Sequence, residues 1–575
     1  MLSHSPVVRS SAARALFLGS SAITVATLYG IQALRMSREP PPLTPIFQYL
    51  FVVLDYPGAV VSLLILGVAV FLRRPAWLRA MLEDIADHAV IIATVAAVLL
   101  CSGALIVYRN HPLSMDEYAP YFQSQVFASG TLTGRFPIDL LDWLIPPQFQ
   151  DHFLNVSRAN GEVVSAYWPS FALLLAPFTW LGIPWACNPL ISAITLLVVR
   201  NLALQIFDSR EAAGFAILMT IASPAFFADG ISYYSMPAHM LANATYAALL
   251  ARPTATKAAL AGVVGSVALT LHNPVPHCLF ALPWLFWVAG RKNGARLFGC
   301  LCIGYLPLCL LLGIGWFVLS SHLVHEHIGG AVEFASASVD SFARMRAAFS
   351  SPSNATLIAR LIGVAKLWLW AVPGLVLIAG IGAWRYRYHP ICRLLTVSAL
   401  LTLLGYMFVP VDQGHGWGYR YFHSAWIALP ILAAGAFTSA REPKADVRSF
   451  ADDEMCAFAV NCALLTLVAG VGLRAIQIRQ FISHQLEQTP AYSGSEPRVV
   501  IIDPRFSFYG EDLVQNDPWL RGSVIRMISH GFGADSEMMR RRYPRMHPVF
   551  IDRYGSVWSA AASSAADVTR VVPMR

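Results

Sequence analysis

Along the first 110 residues, apolar runs of membrane-spanning length alternate with short polar turns, and the same rhythm returns from about residue 186 to residue 474. A helix needs about 20 predominantly apolar residues to cross a bilayer. Thirteen runs are candidates, several of them short or broken by proline: roughly 12–34, 46–72, 88–108, 186–207, 212–229, 237–251, 257–272, 276–290, 297–320, 361–383, 391–409, 419–439 and 455–474. One more apolar run, 164–183, is punctuated by Pro169 and Pro177 and followed by Pro184, and it reads as a re-entrant or interface-lying helix. After residue 475 the pattern changes again. "RVVIID" (498–503) reads as a buried strand, the text around "DSEMMRRRYP" as a polar helix, and "HPVFIDRYG" as a second strand. The expected fold is a polytopic α-helical membrane protein of about 13 spans. It carries a large outer loop of juxtamembrane helices and a small extracytoplasmic α/β C-terminal domain. The expected divisions are an N-terminal hairpin (1–87), a transmembrane domain (88–475, with the loop at 109–185) and the C-terminal domain (476–575).

Composition agrees with the pattern. Of 575 residues, 56% are hydrophobic and 13% charged, and no soluble chain of this size would expose so little charge. Mean hydropathy is +0.55. The net charge of +8 goes with cytoplasmic loops and anionic lipid headgroups rather than with nucleic acid. No small-residue cleavage site follows the first apolar stretch, which therefore reads as a retained span. The nine cysteines form no CxxC and fall almost entirely in apolar runs, as packing residues do.

Basic clusters fix the expected orientation. Arg73, Arg74 and Arg79 form one; Arg291, Lys292 and Arg296 a second; Arg385, Arg387 and Arg393 a third; Arg441, Lys444 and Arg448 a fourth. With these in the cytoplasm, and 164–183 not crossing, the spans alternate. The loop with Asp116 and Glu117, the turns "YYSMPAH", "LHNPVPH" and "DQGHGWGYRY", the loop "SHLVHEHIGG" and the tail all fall outside. Polar, aromatic and histidine residues thus collect on one face, expected to be the working face of a multi-pass protein of the cytoplasmic membrane.

Asp116 and Glu117 admit two readings. Acids favour the positive end of a helix dipole, and Ser114 with Glu117 three residues on fits a capping box. Alternatively the pair carries chemistry. The ordered text that follows bears on the choice: "DEYAPYFQSQVFASGTLTG", a Tyr-x-Pro segment (Tyr167–Pro169), the "GIP" turn (182–184), the "SP" turn in "FDSREAAGFAILMTIASPAFFADGISYYSMPAH", and "GHGWGYRYFHSAWIALP". This set resembles the GT-C superfamily of membrane glycosyltransferases, particularly its protein O-mannosyltransferase and lipid-A aminoarabinose transferase branch. The resemblance covers roughly residues 88–300 and the "GHGWGYRY" stretch. Two extra spans precede the Asp-Glu loop, and Trp168-Pro169-Ser170 stands where relatives often have Pro-Pro or Pro-Gly.

The resemblance implies an inverting transfer of a sugar from a polyprenyl-phosphate donor to an extracytoplasmic acceptor: a glycolipid, an envelope polysaccharide or a protein. The attacking hydroxyl then needs a base, assigned to Asp116 with Glu117 second. Arg420 is the expected phosphate ligand, because a guanidinium binds phosphate bidentately and Gly414, Gly416 and Gly418 allow close approach. Tyr419, His415, His239 and His272 are secondary phosphate candidates. Tyr118, Tyr121 and Trp168 are expected to line the loop or the acceptor path. No cofactor and no metal ligand set is expected. "HLVHEH" (His322, His325, Glu326, His327) matches no metal spacing. Expected partners are the sugar-carrying polyprenyl phosphate, an unassigned acceptor and membrane lipids. The rival reading is a transporter or lipid flippase, which would place ionisable residues near the bilayer midplane, often with repeat symmetry. Asp55, in "FVVLDYPGAV", is such an intramembrane acid, and it is left outside the expected site.

Overall fold

The computed structural model describes residues 10–38, 41–72, 76–325, 351–438, 454–490 and 496–560. Seven helices among them are long and apolar enough to cross a membrane: Ser11–Met36, Pro45–Phe71, Ala89–Ile106, Pro184–Phe207, Gly294–His322, Pro390–Phe408 and Glu454–Leu486. The chain is an integral membrane protein. An eighth span is possible by length if the pair Arg210–Ile221 and Pro224–Gly230, bent by 63°, counts as one. The bend sits where Pro224 removes an amide donor and the Ser223 hydroxyl donates back to the Met219 carbonyl at 2.7 Å.

Thirteen spans are expected from sequence, and the remaining five are shorter or divided helices. Met236–Ala251, Ala255–Leu269 and Val275–Ala289 run 16, 15 and 15 residues. The run 361–383 is split into Asn354–Leu369 and Leu375–Arg385 at Pro373 and Gly374, and the Gly374 φ of +88° starts the second helix in a left-handed conformation. The run 419–439 breaks into Arg420–His423 and Ala428–Gly435. Run 164–183 contains an 11-residue helix, Ser170–Trp180, about 16 Å long and too short to cross.

The chain forms two compact units, divided at Val107/Tyr108, Cys187/Asn188, Leu311/Leu312 and Gln477/Ile478. The first holds most of the apolar helices. Some approach backbone to backbone: a Cβ at Gly262 would stand 2.1 Å from the Leu301 carbonyl oxygen, so Ala255–Leu269 and Gly294–Leu308 pack through a small-residue seam.

The second unit joins the loop after Val107 to the tail. Helix Met115–Ala128 is followed by strands β1 (Gly134–Arg135), β2 (Leu154–Val156) and β3 (Glu162–Ser165), in the antiparallel order β1-β3-β2. The tail supplies β4 (Arg498–Ile502), β5 (Val524–Ile528), β6 (His547–Asp552) and β7 (Gly555–Ser559), in the order β5-β4-β7-β6, with β4 and β5 parallel. The polar helix is Phe532–Arg542. One core serves both parts: Phe122, Phe136 and Val163 from the loop pack with Val499, Ile501 and Trp558 from the tail. β4 reads "RVVII" without alternation because both its faces are covered.

Candidate functional site

The second unit contains the acidic pair. After the apolar helix, Arg109 and Asn110 take positive φ (56° and 49°) and turn the chain into helix Met115–Ala128. Ser114 occupies the N-cap in an extended conformation. Glu117 is fully buried, and its Oε2 accepts from the Leu113 amide at 2.6 Å, one residue earlier than a capping box would place that bond. Its Oε1 accepts from the Tyr108 hydroxyl at 2.9 Å. Glu117 therefore clamps the turn that delivers the helix. Asp116 is half-buried and accepts a hydrogen bond from the Tyr167 hydroxyl. Tyr167 in turn belongs to the segment after β3, whose Ser165 amide donates to Gln123 on the helix at 2.9 Å.

The expected lining residues divide. The Tyr118 hydroxyl donates to the Asn516 carbonyl at 2.6 Å and accepts from the Asn516 amide at 2.9 Å, tying the helix to the tail. Burial pushes its phenol well above the ordinary range. Tyr121 and Trp168 are half-buried, and burial raises the Tyr121 phenol too. His111 is half-buried with its Nε2 shielded from solvent, and burial first, then the Arg526 charge, lowers it to about 4.

The first unit contains the expected phosphate residues. Gly414, Gly416 and Gly418 all have positive φ (59°, 108° and 60°), so the loop folds back on itself. Gln413 staples it: its side chain donates to the Gly418 carbonyl at 3.0 Å and accepts the Arg420 amide at 3.0 Å, and its own carbonyl accepts from the Arg420 guanidinium. A Cβ at Gly416 would stand 2.3 Å from Arg420 Cδ, so the side chain needs glycine there. The buried guanidinium lies 4.5 Å from the Tyr234 ring centroid. Arg360 steadies the incoming strand of the loop, donating to the carbonyls of Tyr406, Val409 and Val411 at 2.7–2.8 Å. His415 is buried within the loop, and the Tyr419 ring lies against Gly363.

His239 is fully buried within electrostatic range of His272, His277 and His423. His277 is held between Asn243 (2.7 Å) and the Tyr305 hydroxyl (2.6 Å). Among the described residues neither ring nitrogen of His239 has a hydrogen-bond partner. Sequence reasoning missed a buried acid–histidine pair of this region, His423 Nδ1 and Asp229 Oδ2 at 2.9 Å. His423 stands three residues after Arg420 on the same short helix, and Asp229 is an acid inside an apolar run; both signals are readable in retrospect.

Two further features belong to this unit. An apolar groove of about 600 Å³ is lined by Val95, Leu99, Gly103, Phe226, Phe227 and Leu467, among others. Asp55, in turn, is fully buried between two cations: Lys366 Nζ at 2.8 Å and Arg474 Nη1 at 3.0 Å, with the Trp370 indole donating at 2.7 Å. Lys366 and Arg474 were not singled out from sequence, although a cation inside an apolar span is a signal in itself. Among the described residues no group of three or more His, Cys, Asp or Glu is placed to hold a metal. Glu326 and His327 of "HLVHEH" lie outside the described residues.

No protein-family model matches the sequence, and no curated protein matches it. Among solved structures, the fold is similar to the crystal structure of ArnT from Cupriavidus metallidurans bound to undecaprenyl phosphate, at 13% identity and a TM-score of 0.48, covering 82% of this chain and 98% of that one. The apo form of the same protein gives 13% identity and 0.48, covering 83% and 99%. At that level of likeness no residue role passes from that protein to this chain.

Proposed function

We propose that the chain is an inverting glycosyltransferase that moves a sugar from a polyprenyl-phosphate donor to an acceptor on the extracytoplasmic face of the cytoplasmic membrane. One observation carries the reading. Of two adjacent acids, Glu117 is fully engaged in holding a turn, while Asp116 is half-buried at a helix start with its carboxylate oriented by a tyrosine hydroxyl. A carboxylate so held suits general-base work on an attacking hydroxyl.

Arg420 suits the other half of the reaction. It is a buried cation on a loop of three left-handed glycines, and it would balance the charge that grows on a departing lipid phosphate. His415, Tyr419, His239 and His272 are proposed to shape the surroundings of that phosphate, and the apolar groove to take part of the prenyl chain. Tyr121 and Trp168 are proposed for the acceptor path. Tyr118 is assigned the tie to the tail instead, because its hydroxyl is doubly bonded to Asn516. The intramembrane charges at Asp55, Lys366 and Arg474 are a feature a transporter would share. All three are buried and paired among themselves, which fits a structural role.

The test is a panel of radiolabelled polyprenyl-phosphate sugars offered to the purified chain in lipid. The native protein should release sugar from at least one donor, and Arg420→Ala should weaken donor binding about 10-fold or more, as loss of a charge-assisted contact does. Failure of a well-folded chain to bind any donor would remove the proposal.

A further inference from the structure

The transferase reading gives no task to the Asp229–His423 pair, yet the pair is built like a proton-transfer group. Both side chains are buried, at 1% and 2% exposure. Asp229 Oδ2 meets His423 Nδ1 at 2.9 Å. A carboxylate on Nδ1 orients the ring and fixes which ring nitrogen faces away from it. Among the described residues, His423 Nε2 and Asp229 Oδ1 are buried without a hydrogen-bond partner, an arrangement that calls for one.

The pair also shares its surroundings with Arg420. Arg420 and His423 open and close one four-residue helix. The segment 229–234 meets both ends of that helix, Asp229 bonding His423 and Tyr234 lying under the Arg420 guanidinium. That segment is itself braced: Ser232 donates to the Asp229 carbonyl at 2.7 Å, and the Asn188 side chain donates to the Ser232 and Tyr234 carbonyls, each at 2.7 Å. Phe226 and Phe227 of the apolar groove are on the same helix as Asp229, Pro224–Gly230. His423 stands three positions after Arg420, the spacing that makes side chains neighbours on one helix face, so an anion held by Arg420 would lie beside His423.

We propose that His423, held by Asp229, is the acid that protonates the departing lipid phosphate; this role rests on the transferase reading. The bond between the anomeric carbon and the phosphate oxygen breaks, with its electron pair going to that oxygen. The acceptor oxygen forms the new bond to carbon and gives its proton to the carboxylate base. The His423 imidazolium gives its Nε2 proton to the phosphate, leaving a monoprotonated lipid phosphate and a neutral imidazole. Solvent then reprotonates His423 and takes the proton from the base, so the count closes. Asp229 acts through His423 and is a positioning residue.

The experiment compares two donors carrying the same sugar, one on polyprenyl phosphate and one on a lipid-tailed nitrophenyl phosphate, a more acidic leaving group. With the prenyl donor, His423→Gln should lower kcat about 100-fold or more while donor KM changes little, the range expected for loss of a general acid. With the nitrophenyl donor the deficit should shrink to about 10-fold or less, because a better leaving group needs less protonation. Asp229→Asn should show the same dependence on the leaving group with a smaller deficit, and it carries the test if His423→Gln fails to fold. An equal deficit with both donors, or a deficit confined to KM, overturns the role. Unimpaired turnover by His423→Gln overturns it while sparing the transferase reading. No release from either donor by the folded native chain overturns both.

Discussion

The Glu117 carboxylate accepts from a buried amide at 2.6 Å and a buried tyrosine at 2.9 Å, so its charge is part of the local structure. Hydrogen bonds to a charged group contribute about 1.5–3 kcal/mol each. Glu117→Gln should therefore lower the melting temperature of the chain, whereas Asp116→Asn should leave it nearly unchanged; a thermal melt of the two variants checks this. His111 adds a pH dependence. Its folded pKa of about 4 lies below the ordinary 6.5, so between those values the unfolded chain takes a proton that the folded chain refuses. Stability should fall as pH drops from about 6.5 to about 4, by on the order of 3 kcal/mol in all, and then level off for this group. Melting of native and His111→Gln protein across that range checks the sign, since the variant should lose the slope. The Asp-Glu pair is legible in the sequence as a pair of acids at a helix start. Which acid clamps the turn is not, because that depends on the path through Arg109 and Asn110, two non-glycine residues at positive φ with little local sign of it.

Arg420 owes its position to the loop before it, and the loop to its glycines. Gly416 has φ +108° and no room for a Cβ beside Arg420 Cδ. Gly416→Ala should displace the guanidinium and weaken binding of a polyprenyl phosphate while leaving secondary structure intact, which lipid titration and circular dichroism distinguish. The buried triad is a second such element. Asp55→Ala would leave Lys366 and Arg474 buried without their counter-charge, a change that costs about 3–5 kcal/mol. The variant should express poorly, and Asp55→Ala with Lys366→Met should recover part of the loss. Glycine-rich "GHGWG" is legible as a tight turn, and Asp55 as a costly acid. The cations that meet Asp55 come from segments more than 300 residues away in the chain, and no local pattern pairs them. The broken helices follow the same logic: hydropathy finds an apolar run at 361–383 but not its division, which falls at 370–374 where Pro373 and left-handed Gly374 interrupt the helix.

Across the whole molecule, the apolar rhythm locates the seven helices long and apolar enough to cross, because backbone groups in lipid leave the chain few alternatives, while five of the thirteen runs fall on shorter or divided helices. It also finds the strands at 498–502 and 547–552. It does not reveal that the tail shares a core with the loop after Val107, since Val499, Ile501 and Trp558 read equally well as the core of a free-standing domain. Deleting the chain after residue 477 should therefore unfold residues 108–187, with limited proteolysis cutting within β1 to β3. The central claim is the division of labour between Asp116 and Glu117, and a single-turnover assay tests it most directly. Purified native and Asp116→Asn chains, matched in melting temperature, are mixed with the preferred radiolabelled polyprenyl-phosphate sugar and its acceptor. The proposal expects donor binding to persist in the variant and transfer to fall about 100-fold or more, as when a general base is lost. Transfer at the native rate by Asp116→Asn would contradict it.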